Sequence, residues 1–154
     1  MDTALGRDNA AYLTPVFAAA EYDLTAAAGT DNSEQTWATI DRLTAFDNVR
    51  HASAAAVVMA TATLGEGETL TVSGIWEHSD DEGSTWTEIG TDTTLLTLTG
   101  GSGGSTETGT GKLNINLAEA DGQVRFKQTP DLSASGTDTA KVSGVYIFSA
   151  PSEI

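Results

Sequence analysis

The sequence predicts an all-β protein: an antiparallel β-sandwich, jelly-roll-like, of about eight strands, with an extended N-terminal arm. Three observations lead there. Several short stretches alternate apolar and polar residues with a period of two, most cleanly Leu113, Ile115 and Leu117 against Lys112, Asn114 and Asn116. Clusters of Gly, Asp, Asn and Ser separate these stretches at the short intervals expected of a sandwich or roll. No stretch sustains a helical period, and no unit of 20–50 residues repeats, which argues against solenoids and propellers.

Taken in order, residues 1–35 read as the arm. Within it Val16–Tyr22 suits a short strand or a helical turn, since alanine serves both, and Gly29–Ser33 is a turn cluster. The sandwich domain then spans 36–154. Trp37–Asp41 reads as a strand, Asp47–Asn48 as a turn, and Val49–Thr63 as a long strand apolar on both faces. Gly65–Glu68 turns the chain into Thr69–His78, where Leu70, Val72, Gly74 and Trp76 share one face. Thr85–Ile89 returns from an acidic tip, and Thr93–Thr99 is a further strand. Gly100–Gly111 has the composition of a flexible Gly/Ser/Thr loop. After Lys112–Leu117, the segment Gln123–Gln128 puts Val124 and Phe126 on one face and Arg125 and Lys127 on the other. Pro130–Thr137 reads as loop, and Ala140–Ser149 closes the domain.

Composition narrows the function. A chain of 154 residues suits one domain. Its 22 Asp and Glu against 7 Lys and Arg give a net charge of −15. Nucleic-acid binding draws on cations that displace counterions from phosphate, so this balance argues against it, and equally against an anionic membrane surface. The longest apolar run, residues 52–62, is far shorter than the roughly 20 residues of a membrane helix, and Met1–Ala4 lacks the basic start of a secretory signal. With no cysteine, disulfides, thiolate metal sites and a Cys nucleophile are excluded.

The enzymatic templates fail as well. There is no Gly-x-Ser-x-Gly elbow, no paired-His metal motif and no phosphate-binding Gly-Lys-Ser/Thr, so neither catalysis nor a cofactor is expected. His78 stands near Asp80 and Asp81, but a His at a strand end is the plainer reading. Asp80, Asp81 and Glu82 offer hard oxygens for Ca²⁺; their consecutive spacing lacks the alternation of an EF-hand loop, and a solvated acidic tip explains them. Trp76 shares the alternation of Leu70 and Val72 and should be core, while Trp86 fits a cross-strand partner at a hairpin base. Trp37 is unconstrained, and with Ca²⁺ at the tip it would suit a carbohydrate-binding module. Arg42, Arg50, Arg125 and Lys127 are either ion-pair partners inside the fold or contacts to an acidic partner.

Two resemblances follow. Ser79, Asp81, Gly83, Thr85 and Trp86 match the Asp-box pattern Ser-x-Asp-x-Gly-x-Thr-Trp, similar to the structural hairpin of sialidase-type propellers. It occurs once, in a chain too short for a propeller, so it implies turn geometry and not glycosidase activity. The second covers residues 37–151. Ile40-Asp-Arg-Leu43, the Ala/Val strand 54–62, the hairpin within His78–Glu88, Gln123-Val-Arg-Phe126 and Val142-Ser-Gly-Val-Tyr-Ile-Phe148 occur in that order. Together they resemble the small β-sandwich structural proteins of the head-gene region of tailed bacteriophages and gene-transfer particles. Glu82, inserted before Gly83, and the loosely matching 123–126 segment depart from that pattern, and the arm has no counterpart in it. The resemblance implies a virion protein: a capsid decoration (cement) protein, homo-oligomeric on the lattice, bound to the major capsid protein on the capsid exterior. A tail or head–tail connector component is the alternative. Tyr12, Phe17 and Tyr22 of the arm and Arg125 and Lys127 of the basic strand are the candidate contacts. An arm of 35 residues would reach up to about 110 Å fully extended.

Overall fold

The computed structural model describes residues 13–26, 31–47, 51–118, 120–134 and 136–151. Among the described residues nine strands follow in chain order: β1 (Thr14–Thr25), β2 (Gln35–Thr36), β3 (Ile40–Asp41), β4 (His51–Leu64), β5 (Thr69–Ser79), β6 (Thr87–Thr99), β7 (Ser105–Asn116), β8 (Gln123–Leu132) and β9 (Thr139–Pro151). One sheet has the order β1-β9-β4-β7; the other has β2-β8-β5-β6, with β3 also on β8. Every pairing is antiparallel, so the fold is the all-β sandwich the alternation predicts. The pairing is nested: β5 with β6, β4 with β7, β2 and β3 with β8, β1 with β9, as when a long hairpin is rolled up.

Several boundaries differ from those the sequence predicts, each for a local reason. The stretch Val16–Tyr22, open between strand and helical turn, lies in strand β1, which pairs with β9 as part of the first sheet; shifts between Phe17 and Ala19 and between Ala19 and Tyr22 bulge it. Residues 105–111, expected in a flexible loop, are the first half of β7 and pair with β4 from Ser105↔Leu64 to Gly111↔Val58. Their glycines face inward where no side chain fits: a Cβ on Gly111 would lie 2.3 Å from the Leu95 carbonyl oxygen, and one on Gly109 would lie 2.8 Å from Leu98. Thr85–Ile89 and Thr93–Thr99 are not two strands; β6 runs through, with register shifts opposite Val72–Ser73 and Gly74–Trp76. Pro130–Leu132, expected as loop, extends β8 along Val72, Thr71 and Leu70. The strand expected at Trp37–Asp41 is interrupted between β2 and β3.

That interruption is where the sheets are tied together. Trp37 N–H donates to the Phe126 carbonyl (2.9 Å), and Ala38 N–H donates to Ala18 of β1 (2.8 Å). The Tyr146 hydroxyl, from β9, donates to the Ala38 carbonyl (3.1 Å) and accepts the Phe126 N–H (2.9 Å). Burial pushes the Tyr146 phenol above the usual tyrosine range, so it stays a neutral donor. Around it Trp37, Trp76 and Phe126 form an edge-on and stacked aromatic cluster with ring centroids 4.8–5.6 Å apart. Small residues of the opposing sheet make room: Ala54, Ala56, Val58, Ala60 and Ala62 line the inner face of β4, and a Cβ on Gly144 would meet Trp37 at 2.2 Å. Trp76 is core as expected, and its indole N–H donates to the Leu113 carbonyl (3.1 Å).

Candidate functional site

The acidic hairpin between β5 and β6 is the strongest motif in the sequence, and its residues converge as the Asp-box pattern implies. Asp81 Oδ1 accepts the Ser79 hydroxyl (2.8 Å) and the Thr85 N–H (2.8 Å), while Oδ2 accepts the Thr85 hydroxyl (2.7 Å). Ser79 Oγ in turn accepts the Gly83 N–H (2.9 Å). Glu82 and Gly83 stand at φ of 58° and 86°, and Ser84 N–H closes the turn onto the Asp81 carbonyl (3.3 Å). Glu82 therefore occupies a left-handed position more usual for Gly, Asn or Asp. The donors around Asp81, Thr85 N–H first, hold its carboxyl down to about 2. Both of its oxygens are committed to the turn, while Asp80 and Glu82 are exposed to solvent. Among the described residues no three His, Asp or Glu side chains group to hold a metal.

Trp86 does something the sequence does not suggest. Its indole N–H donates to the Gly83 carbonyl (3.0 Å), and its ring lies under the Arg125 guanidinium, 3.9 Å from centroid to carbon. Instead of pairing across the hairpin base, it reaches over β5 to β8. There Arg125 Nε donates to Glu77 Oε2 (2.7 Å), and Lys127 Nζ lies 3.1 Å from Glu77 Oε1 and 3.0 Å from Glu34 Oε2. Hydrogen bonds that it donates to Glu34 foremost, and to Glu77, hold Lys127 above the usual lysine range. The Glu77 side chain is 7% exposed although β5 turns it away from the core. Of the two roles open to Arg125 and Lys127, the structure shows ion pairing within the fold.

The Asp41-Arg42 pair is also structural. Asp41 Oδ1 accepts the N–H groups of Leu43 (2.9 Å) and Thr44 (3.1 Å) where the chain enters a 3₁₀ turn at Thr44–Phe46, and these bonds lower its pKa. Arg42 is buried and donates to the carbonyls of Ala120, Asp121 (3.1 Å) and His51 (3.3 Å), gathering three loop ends at one pole of the sandwich. His78 Nδ1 lies 2.8 Å from Asp121 Oδ2, so its partner is Asp121 and not the hairpin carboxylates. Trp37, the candidate sugar platform, is 2% exposed and unavailable for stacking on a ligand. Phe17 is 68% exposed, Tyr22 is half-buried against the core, and Tyr12 lies outside the described residues.

No protein-family model matches the chain, and no curated protein sequence does. Among solved structures, T=1 particles derived from infectious bursal virus are similar at TM-score 0.47 and 9% identity, covering 90% of this chain and 31% of that one. The Gx strain of infectious bursal disease virus gives 0.47 and 11%, with 92% and 32% covered. Dimeric latent PorU of Porphyromonas gingivalis gives 0.41 and 11%, with 90% and 12% covered. The chain thus spans about a third of the length of the viral proteins and an eighth of PorU. With TM-scores below 0.5, these likenesses carry neither family nor function to this chain.

Proposed function

We propose that the chain is a virion structural protein: a decoration (cement) protein that binds the major capsid protein on the outside of a tailed-phage head and stabilises the shell. One observation carries the reading. The separated segments of the phage-like pattern, the Ser79–Trp86 hairpin and the 123–126 strand, form one unit through Trp86, Arg125 and Glu77. Segments that recur together in a family are expected to work together, and here they lock a hairpin onto a sheet without providing chemistry. The nested strand pairing favours a jelly-roll path, an architecture shared by capsid and lectin domains. The charge of −15 favours the outer surface of a shell, since on the inside it would oppose packaged DNA.

The test uses capsids assembled without this protein. Added back, the purified chain should bind saturably to their exterior and raise the temperature at which they rupture. A variant lacking residues 2–12, the candidate contact Tyr12 among them, should lose much of that binding while keeping the wild-type circular dichroism, because the arm is one of the candidate shell contacts. Absence of binding, with rupture unchanged, overturns the reading; label found at the tail or neck by electron microscopy replaces it with the connector reading.

A further inference from the structure

We infer that the outer face of the first sheet is a self-association surface, on which a second copy of this chain packs sheet against sheet about a twofold axis. The sequence reads β4 as a strand apolar on both faces, yet the fold buries only one. Ala54, Ala56, Val58, Ala60 and Ala62 point into the core, whereas Ala55, Val57 and Met59 point out, half-buried or exposed. The register extends this patch across the sheet. Val57 lies beside Val145, which lies beside Phe17; Ala55 lies beside Ile147, which lies beside Pro15. An apolar patch this continuous on a water-facing sheet marks a contact surface.

Charge selects the occupant. The chain carries 22 carboxylates, yet the outward positions of three neighbouring strands hold none. On β4 these are Ser53 to Thr63, on β9 Lys141 to Ser149, and on β7 Thr106 to Asn116, taking alternate residues. Lys112 and Lys141 are the cations of this face, and Lys141 is bound by Glu21 and Asp23 of β1. Two copies of a molecule at −15 repel wherever their acidic surfaces meet; here they approach through three strands whose outward positions carry no carboxylate. A strongly basic partner finds no carboxylate at the outward positions of these three strands to pair with, whereas a like-charged copy finds none there to repel it.

Geometry agrees. Two sheets of the same twist pack face to face about 10 Å apart at about −30°, so a sheet is a natural partner for its own copy. A twofold axis through the patch sets Val57 and Val145 near the same residues of the second copy. The three strands without an outward carboxylate, at about 4.8 Å spacing over roughly 37 Å of β4, give about 530 Å² per copy, to which Pro15 and Phe17 of β1 add, against about 800 Å² per partner in a standard interface. This pairing concerns copies in solution and stands apart from attachment to a shell.

Sedimentation velocity and light scattering from micromolar to submillimolar concentration test it. The wild type should reach twice 15.9 kDa. Val57→Glu, which sets carboxylates against each other at the axis, should weaken pairing about a hundredfold or more. Phe17→Ser, at a position already 68% exposed and so harmless to folding, should weaken it about tenfold. Thr97→Glu, exposed on β6 of the other sheet, should leave it unchanged. If Val57→Glu misfolds by circular dichroism, Phe17→Ser decides alone. A wild type monomeric throughout overturns the inference, as does any oligomer that keeps its mass in both face variants. A monomer whose capsid binding is abolished by Phe17→Ser overturns it too, assigning the face to the shell.

Discussion

Along the second sheet the outward side chains find one another: Glu77 of β5 holds Arg125 and Lys127 of β8, Lys127 holds Glu34, and Trp86 covers Arg125. Along the first sheet the outward side chains of β4 and β9 are apolar or short and neutral at the centre, with Phe17 and Met59 left at 68% and 40% exposure. The same strand alternation produces both faces, and both are equally regular. What differs is whether the monomer satisfies what it presents. A charged face that closes on itself keeps its geometry without a partner. An apolar face has only contact with another surface to gain from. In this molecule charge marks where the fold completes itself, and the absence of charge marks where it stops.

The largest expected effect tests self-completion of the second sheet. Glu77→Ala removes the shared acceptor of Arg125 and Lys127 and leaves two cations half-buried side by side, which should destabilise the fold by about 3 kcal/mol in urea unfolding. A loss under about 1 kcal/mol would place the network in the weak surface class and dissolve the contrast between the faces. Next comes Gly111→Ala on β7, whose new Cβ would press on the Leu95 carbonyl; about 2 kcal/mol of destabilisation is expected, seen as a lower Tm. A neutral result would return residues 105–111 to a loop and shrink the first sheet's face.

A subtler measurement concerns pH. Asp81 has its carboxyl lowered from 3.8 to about 2, so the folded hairpin favours the charged form. Its contribution is present above about 4 and is lost as pH falls through about 2. Amide exchange at Thr85 should therefore accelerate across that window in the wild type, after correction for intrinsic rates. Asp81→Asn should show faster exchange already at neutral pH and no such step. Smallest of all, Val57→Ala on the outer face should shift monomer stability by under about 0.5 kcal/mol. A large loss there would mean Val57 is packed within the monomer, against the exposure that sets the two faces apart.

Much of the fold and of the hairpin is legible in the sequence. The Asp-box residues announce their turn because each of its bonds is local, made within a few residues of Asp81. Trp76 is legible as core from its place in the alternation. Arg125 is visible as a scarce cation, but its partner Glu77 lies 48 residues away, and no pattern of period two joins them. Nor can Trp86 be matched to Arg125 by spacing, since the indole crosses a whole strand to reach it. The Gly/Thr segment before Lys112 misleads because glycine signals looseness in isolation and close approach in a sheet. Nothing local tells the two apart; the backbone of β6 does.

Sequence alone determined the all-β class, the acidic surface and the hairpin, because periodicity, charge and turn chemistry act between near neighbours. Tertiary structure alone decided which cations were already engaged, that the stretch 14–25 is a strand of the first sheet, and which side of β4 went uncovered. Those depend on register between strands far apart in the chain, where a shift of one residue exchanges inside for outside.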